Sequence, residues 1–363
     1  MEKIKAAVCH EFGKPLVIEE ITIRPPELGE VEVDIDAVAI CQSDISYAEG
    51  GFGGSLPAVY GHEAAGRVTR VGETVTGLKE GDKVVVTLIR ACGACPSCQT
   101  ARPVTCETPY DATKGPIQTA AGEALFQGLD TGAFAEKVVV HHSQVARVPE
   151  TMPMDSAALL ACGVITGVGS AVNVAKVRPG QTVVVIGAGG VGLNAIQGAR
   201  IAGAAKIIAV DMSEEKLEMA KDFGATHGVL ASEAKPWSIA RKLGGGRGAD
   251  AVLVTVGIAP VYDAAPRYLA PGGNVIMVGL PHATDKATYS PLGMANASQG
   301  ILGTMMGDTV ISRDIPWMVD LYEQGRLKLD ELISNRFSLE QINEAIESTK
   351  SGADKRNVIM LKS

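Results

Sequence analysis

The sequence predicts an α/β protein in which a β-rich domain is followed by a domain built on a doubly wound parallel sheet. Residues 1 to about 150 carry short alternating apolar runs, such as 31–39 and 83–88, between turn residues. Residues 183–211, VVVIGAGGVGLNAIQGARIAGAAKIIAVD, combine a buried strand, a glycine turn, a helix and a second strand. Beyond residue 163, strand and helix patterns continue to alternate, which is typical of a parallel sheet.

The composition describes a globular chain of about two domains. It has 363 residues, of which 46% are hydrophobic and 20% charged, and a net charge of -8. The negative charge argues against a nucleic-acid or anionic-membrane surface, so we expect small molecules as partners. The first residues lack the apolar core of a secretory signal, which predicts a cytoplasmic protein. Residues 156–175 carry no charge, but glycines and polar residues interrupt them, so we expect a buried segment and no membrane span.

Within the β-rich part, four cysteines lie close together at about residues 90–110. The chain has seven cysteines, and an odd number in a cytoplasmic protein argues against a disulfide framework. The spacing Cys92-x-x-Cys95-x-x-Cys98, followed by Cys106, suits a tetrahedral zinc ion held by four thiolates. An iron–sulfur cluster usually has a shorter spacing to its fourth cysteine and a proline after it. We predict a structural zinc site, with free buried thiols as the alternative.

A second group of metal-ligand types is spread more widely. Cys41, His62 in the tripeptide GHE and Cys162 in LLACGVITG offer a thiolate, an imidazole and a thiolate. Three such ligands leave the fourth zinc position open, as a catalytic zinc requires. Taken singly, Cys162 is explained by packing and His62 by a hydrogen-bonded core histidine. Spacing alone does not join the three residues.

The glycine turn has the spacing G-x-G-x-x-G. Gly187 permits the tight turn, Gly189 lets the backbone approach a pyrophosphate, and Gly192 lets the helix pack against the strand. The helix N-terminus then faces the anion. Asp211 ends the second strand, where a ribose 2′-hydroxyl is bound in such units. The pattern predicts a dinucleotide site, and a glycine-rich loop without a ligand is the alternative.

The remaining elements are assigned from caps and apolar runs. The helix 193–202 ends at Gly203, and Ser213 is an N-cap candidate for a helix that ends near Gly224. We further predict strands at 206–210, 251–256 and 274–278, helices at 316–323 and 339–348, and a final strand at 357–361.

Over its whole length the sequence resembles zinc-dependent alcohol dehydrogenases of the medium-chain dehydrogenase/reductase superfamily. The resemblance rests on Cys41 with Ser43 and Asp44, GHE at 61–63, the four-cysteine lobe, CGVITG at 162–167, and GAGGVG with Asp211.

The resemblance implies three segments and a set of ligands. We expect a GroES-like catalytic domain at 1–163, a Rossmann NAD-binding domain at 164–303 and a return to the catalytic domain at 304–363. NAD and two Zn²⁺ per chain are the implied cofactors. The implied assembly is a homodimer, with a tetramer as the alternative.

The resemblance also implies the roles of residues around the catalytic zinc. The metal ligands are Cys41, His62 and Cys162, and the structural zinc takes Cys92, Cys95, Cys98 and Cys106. Ser43 takes the alcohol proton, Asp44 orients His62, and Glu63 lies behind the metal. Ser46 stands where many relatives have the histidine that ends the proton relay. The implied substrate-pocket residues are Phe52, Leu88 and Phe134.

The implied cofactor contacts extend beyond the glycine turn. They comprise Gly187, Gly189, Gly190, Val191, Gly192 and Asp211, Lys216 at the adenosine ribose, Thr166 behind the nicotinamide together with Val191, Val278, and Arg356 at the pyrophosphate. Gln42 stands where many relatives place a basic residue against the pyrophosphate.

The expected activity is the reversible oxidation of an alcohol to an aldehyde or ketone, with hydride transfer to NAD. The alternatives are a zinc-free quinone or enone reductase of the same superfamily and a non-catalytic NAD-binding protein. Segments such as VNVAKVRPG and SRDIP are similar to bacterial relatives of the glutathione-dependent formaldehyde dehydrogenase branch. Tyr110 replaces an arginine of those enzymes, and Gly50 and Phe52 replace acidic residues, so we expect weak or absent activity on a glutathione adduct.

Overall fold

The computed structural model describes residues 1–111 and 114–362, and the chain folds into two compact units. The β unit comprises Met1–Cys162 and Val310–Ser363, and the parallel-sheet unit comprises Gly163–Thr309. The sequence analysis had placed the second boundary at residue 303. Residues up to Thr309 join the parallel-sheet unit because Gly307 packs closely on Gly169, where an added methyl group would lie 2.5 Å from the Gly307 carbonyl oxygen.

The strands in chain order are β1 Glu2–Cys9, β2 Val17–Ile23, β3 Glu30–Ala39, β4 Ala58–Val59, β5 Glu63–Val71, β6 Lys83–Val86, β7 Ile117–Thr119, β8 Phe126–Gln127, β9 Lys137–His141, β10 Val145–Arg147, β11 Thr182–Ile186, β12 Lys206–Asp211, β13 His227–Leu230, β14 Ala249–Val254, β15 Leu269–Met277, β16 Gly300–Gly303, β17 Ile333–Ser338 and β18 Arg356–Met360.

The α-helices are α1 Gln42–Ala48, α2 Pro96–Gln99, α3 Met154–Leu159, α4 Ile165–Gly169, α5 Gly190–Ile201, α6 Glu214–Asp222, α7 Pro236–Leu243, α8 Ala259–Ala264, α9 Pro291–Asn296, α10 Ile311–Glu323 and α11 Ile342–Ser351. Two π-helical turns, Leu160–Val164 and Ser170–Val174, follow α3 and α4, so that one helical rod runs over Met154–Val174.

The β unit contains two sheets. One has the order β7-β2-β1-β4-β8, and the other has the order β10-β6-β5-β3-β18-β17 with β9 also paired to β3. Alternation along β3 sends Val31, Val33 and Ile35 into the core, where each is fully buried. β18 pairs with β3 through residues 37–39, so the last strand of the chain lies beside the strand that leads to Cys41.

The parallel-sheet unit has the strand order β13-β12-β11-β14-β15-β16, and all the pairings between these neighbours are parallel. This is the doubly wound arrangement that binds nucleotides where the strand order reverses, beside the first strand. That strand, β11, reads TVVVI, and Val183, Val184 and Val185 are buried as a strand covered on both faces requires. The glycine turn follows β11 directly.

Helix boundaries differ from the sequence prediction in three helices, and one of them is α11, which spans Ile342–Ser351 where the sequence predicts 339–348. Helix α5 begins at Gly190, inside the glycine turn, whereas the sequence predicts a helix over 193–202. Helix α10 begins at Ile311, whereas the sequence predicts that it begins at Pro316. Buried side chains on the same face, Ile311, Ile315 and Met318, hold α10 across the proline.

The helical rod at Met154–Val174 is long and apolar enough to cross a membrane by length and composition alone. However, 78% of its most apolar 18-residue stretch is buried inside the protein, as is typical of a core helix. This burial agrees with the expectation of a buried segment at residues 156–175.

Candidate active site

Four buried side chains from three separate stretches of the β unit come together at one point. The ligand atoms of Cys41, His62, Glu63 and Cys162 all lie within 4.8 Å of one another. Cys41 follows β3 and precedes α1, His62 directly precedes β5, and Glu63 is the first residue of β5. Cys162 lies in the π-helical turn Leu160–Val164. Such turns are rare and occur often at functional sites.

Asp44 fixes the orientation of the imidazole. His62 Nδ1 lies 2.8 Å from Asp44 Oδ1, and both side chains are buried. The same carboxylate accepts backbone N–H groups from Gly61 at 3.0 Å and from Cys41 at 3.1 Å. A carboxylate acceptor keeps a proton on Nδ1, which leaves the lone pair of Nε2 for a metal ion.

The Nε2 atom of His62 is a candidate ligand atom for a metal ion. In the part of the chain that the structure describes, this buried nitrogen has no hydrogen-bond partner. An unpaired buried nitrogen is costly, and it lies among two thiols and a carboxylate. Nitrogen and sulfur donors in this number are the ligands that zinc prefers. The residues therefore fit a zinc ion, with Glu63 or an external oxygen in the fourth position.

The two thiols of this cluster share a hydrogen bond. The pKa of Cys41 lies well below its usual value because Cys162 hydrogen-bonds to its sulfur and because His62 lies nearby. The pKa of Cys162 is raised by the same contact and by burial. Thiolates bind metal ions in place of protons, so two neighbouring sulfurs that share one proton are suited to hold a cation.

Arg356 is held beside this cluster, where it pairs with Glu63. Its guanidinium lies 2.5 Å from Glu63 Oε2 and donates to the Ile40 carbonyl at 3.3 Å. Burial raises the pKa of Glu63 to about 7, and the charge of Arg356 opposes that rise. The resemblance implies that Arg356 contacts the cofactor pyrophosphate. Its side chain is 7% exposed and ion-paired with Glu63, and its contact with a cofactor stays a prediction.

Helix α1 carries the other residues expected near the metal. Gln42 is exposed, and Ser43 and Ser46 are partly buried. Phe52 and Leu88, expected in the substrate pocket, are also partly buried. Phe134 differs from them, because it is 1% exposed and belongs to the hydrophobic core of the β unit. Its contact with a substrate stays a prediction.

The four-cysteine lobe forms a second candidate metal centre. The sulfurs of Cys92, Cys95, Cys98 and Cys106 lie within 4.8 Å of one another. Backbone N–H groups donate to these sulfurs. The Cys92 N–H donates to the Cys106 sulfur at 3.3 Å, and the Cys95 N–H donates to the Cys92 sulfur at 3.2 Å. A hydrogen bond from Thr108 and backbone N–H groups lower the pKa of Cys92 to about 6. Such contacts stabilise thiolates, which are the form that binds zinc.

The glycine turn has the geometry that its spacing predicted. Gly187 has a φ of +97°, and an added methyl group at Gly192 would lie 1.8 Å from the Gly187 carbonyl oxygen. An added methyl group at Gly189 would meet no described atom within 4 Å, which leaves room for a phosphate. Asp211 accepts the N–H of Ala188 at 2.7 Å and therefore lies beside the turn.

Other residues expected to contact the cofactor lie in the parallel-sheet unit. Thr166 is 9% exposed and donates to the Met306 sulfur at 3.6 Å. Val278 follows β15 and is 9% exposed. Val191 and Lys216 are partly buried in α5 and α6, and the Lys216 N–H donates to the Ser213 cap. Their contacts with a cofactor stay predictions.

Two features of the site were not anticipated from the sequence. One is the Glu63–Arg356 ion pair, which joins the start of β5 to the start of β18. The other is the pair of backbone N–H groups that Asp44 accepts. The position of an acidic residue three places after Cys41, at the start of a helix, is the signal that could have indicated the second feature.

Comparison with known proteins assigns both parts of the chain. Residues 27–150 match the family described as "Alcohol dehydrogenase GroES-like domain", and residues 190–324 match "Zinc-binding dehydrogenase". The NDMA-dependent alcohol dehydrogenase of Amycolatopsis methanolica is 37% identical over 99% of both chains.

Two solved structures cover the whole chain and are themselves covered in full. An alcohol dehydrogenase zinc-binding domain protein from Burkholderia ambifaria has a TM-score of 0.95 and 34% identity. Benzyl alcohol dehydrogenase from Acinetobacter calcoaceticus has a TM-score of 0.94 and 29% identity.

Proposed function

The chain belongs to the zinc-type alcohol dehydrogenases of the medium-chain dehydrogenase/reductase superfamily, and we propose that it oxidises an apolar primary alcohol with NAD as the hydride acceptor. Oxidoreduction of alcohols is the activity in the names of its relatives from Amycolatopsis methanolica and Mycobacterium tuberculosis and of one structural neighbour, benzyl alcohol dehydrogenase. The observation that carries the proposal is the buried, unpartnered Nε2 of His62 among the thiols of Cys41 and Cys162.

The metal centre would be built by Cys41, His62 and Cys162. Zinc bound there would act as a Lewis acid that favours ionisation of the substrate hydroxyl. Asp44 keeps the imidazole in the required tautomer and orientation. Ser43, two residues after Cys41, would pass on the substrate proton. The Glu63 carboxylate is ion-paired with Arg356 at 2.5 Å, and it would be an additional ligand next to these three.

The cofactor would be NAD. Its nicotinamide would accept the hydride, while the chain supplies binding and alignment. Asp211 places a carboxylate beside the glycine turn, where it would accept hydrogen bonds from a ribose 2′-hydroxyl and repel a 2′-phosphate. The residue after it is Met212, which offers no positive charge to a phosphate.

We also propose two zinc ions per chain with different roles. The exposed lobe has four protein thiols for four positions, which suits a structural ion. The buried cluster has three nitrogen and sulfur ligands and suits a catalytic ion. Both alternatives considered from the sequence are disfavoured, since a zinc-free reductase or a structural NAD-binding protein would have no use for two assembled ligand sets.

The substrate would be an alcohol with an apolar or aromatic side chain. One structural neighbour with 29% identity is a benzyl alcohol dehydrogenase. Phe52 and Leu88 are apolar and only partly buried in the β unit. Placement beside the glutathione-dependent formaldehyde dehydrogenase branch rests only on the similar segments, and activity on a glutathione adduct is not part of the proposal.

A cytoplasmic homodimer would be the working form. The parallel sheet ends at β16, whose outer edge is unpaired within the described residues. Large apolar side chains are exposed on β16 and in the segment that precedes it in the chain, including Leu302 at 41%, Tyr289 at 58% and Leu292 at 72%. An apolar sheet edge is a template for pairing, and a second copy of this chain would cover it. Light scattering of wild type and Leu292→Glu would test this assembly.

An NADH absorbance assay tests the proposed function. Zinc-loaded protein is supplied with NAD and benzyl, straight-chain primary, secondary and polyol alcohols, with a parallel arm that uses NDMA, the compound in the name of the Amycolatopsis relative. We expect the highest kcat/KM with the apolar primary alcohols. Zinc-loaded protein that oxidises no alcohol in either arm, or that reduces enones equally well without zinc, would overturn the proposal.

A further inference from the structure

Three aromatic rings of the β unit form a continuous stack, and the ring at one end, Tyr60, lies two residues before the metal-ligand candidate His62. The rings of Tyr47 and Tyr60 are stacked with centroids 6.2 Å apart. The ring of Phe52 meets Tyr47 edge to face, at 5.3 Å and 69°. Both separations are within the range of favourable aromatic pairs. Neither tyrosine was considered in the sequence analysis.

The inner end of the stack is rigid. Tyr60 is 1% exposed, directly precedes Gly61 and His62, and receives the Phe134 N–H on its carbonyl at 2.8 Å. Gly128 packs closely against its ring, since a methyl group added there would be 2.4 Å from Tyr60 Cδ1. A ring confined in this way gives Tyr47 a fixed surface to stack on.

The middle ring belongs to the helix that carries the proposed proton-transfer serine. Tyr47 is four positions after Ser43 in α1, so the two residues share one face of the helix, one turn apart. The chain then turns through Gly50, whose φ is +82°, and brings Phe52 back against Tyr47. Tyr47 therefore lies between a buried anchor and a ring expected to meet substrate.

We propose that Tyr47 is a positioning residue that sets the preference for aromatic alcohols by holding the Phe52 ring in one orientation. A pre-oriented ring binds a second aromatic ring edge to face without first losing its own rotational freedom. A straight-chain alcohol has no such orientation requirement, so it gains little from the stack. The inference rests on the proposed alcohol oxidation and deepens it by naming the substrate class.

The test compares kcat/KM for benzyl alcohol and 1-hexanol in four variants. Tyr47→Leu removes the ring and should lower the benzyl-to-hexyl ratio by about three- to tenfold, the strength of one aromatic pair, mainly through KM. Tyr47→Phe keeps the ring and should stay within about twofold of wild type. Phe52→Leu should lower the ratio, and adding Tyr47→Leu to it should lower the ratio no further, because the two residues act as one unit.

Phe12→Leu is the matched control. Phe12 is an aromatic residue that packs on Gly50, since a methyl group added at Gly50 would lie 3.1 Å from Phe12 Cγ. Its ring is not part of the stack. The control should leave the ratio unchanged. Zinc content and thermal unfolding of each variant identify those that fold.

The outcomes separate this inference from the proposed function. Wild type that oxidises neither alcohol contradicts the proposed function. Wild type that oxidises both, combined with folded Tyr47→Leu that keeps the wild-type ratio, overturns only the role of Tyr47. If Tyr47→Leu does not fold, an unchanged ratio in Phe52→Leu, or a lowered ratio in Tyr47→Phe, overturns it instead.

Discussion

The carboxylate of Asp44 lies 2.8 Å from Nδ1 of His62, and its two oxygens also accept the N–H groups of Gly61 and Cys41. One side chain therefore holds both metal-ligand stretches, the one after β3 and the one before β5. Each acceptor oxygen is used, so the arrangement depends on a carboxylate and not merely on a polar group of that size.

Asp44→Asn should weaken zinc binding at the buried site by about 10- to 100-fold, as is typical for the loss of a carboxylate behind a histidine ligand. The amide has one acceptor oxygen, so an NH₂ group must face either His62 or the Cys41 N–H. Competition with a chelator measures the affinity. Asp36→Asn, at a carboxylate that pairs with Lys362 on the surface, is the control and should bind zinc as wild type does.

Cys41→Ala should yield a folded protein that holds one zinc and has no activity. Cys95→Ser should instead lower the melting temperature, because the binding free energy of a structural metal is folding free energy. Elemental analysis and thermal unfolding are the measurements. Cys9→Ala is the control, since Cys9 lies outside both clusters, and less than one zinc per chain in freshly purified active protein would contradict the two-site scheme.

Wild type should prefer NAD to NADP. Asp211→Gly should reduce that preference, mainly because it weakens the binding of NAD. The substitution removes the 2′-hydroxyl acceptor and also the contact with the Ala188 N–H, which braces the glycine turn. The measurement is kcat/KM for both cofactors at saturating alcohol. A wild-type value higher for NADP than for NAD would show that the carboxylate does not select the cofactor.

Activity on S-hydroxymethylglutathione should be weak or absent compared with that on a medium-length primary alcohol. Gly50 and Phe52 carry no charge, and Tyr110 is stacked under Arg90 at 4.6 Å while its hydroxyl donates to Gln127 at 3.2 Å. No group among these three offers a charge to the tripeptide. The comparison is of kcat/KM for the adduct and the alcohol, and a higher value for the adduct would refute the pocket assignment.

Ser43→Ala should reduce turnover by about 10² or more, the scale of a lost proton-transfer group. Ser46→His should raise oxidation rates near pH 6 to 7, because an imidazole can take the proton there and a serine cannot. At high pH the two proteins should converge, since hydroxide then removes the proton. Near wild-type kcat in Ser43→Ala with several alcohols would mean that the proton leaves by another route.

Local patterns accounted for much of the fold. The strand, turn and helix around Gly187, the Ser213 cap and the four-cysteine lobe were predicted because all their interactions lie within a short stretch of chain. The strands β13 and β16 were missed, because they are short edge strands whose existence depends on pairing with β12 and β15. The start of α10 was missed because tertiary burial outweighs the local effect of Pro316.

The sequence by itself determined the residue types and local spacings, including a glycine turn that ends in Asp211 and four thiols on one loop. Only the tertiary structure decided which distant residues meet. It brought Cys162 to Cys41 and His62, and it paired Arg356 with Glu63. The physical reason is that strand pairing between β3, β5 and β18 joins parts of the chain far apart in sequence, and such contacts leave no periodic trace in the residues that make them.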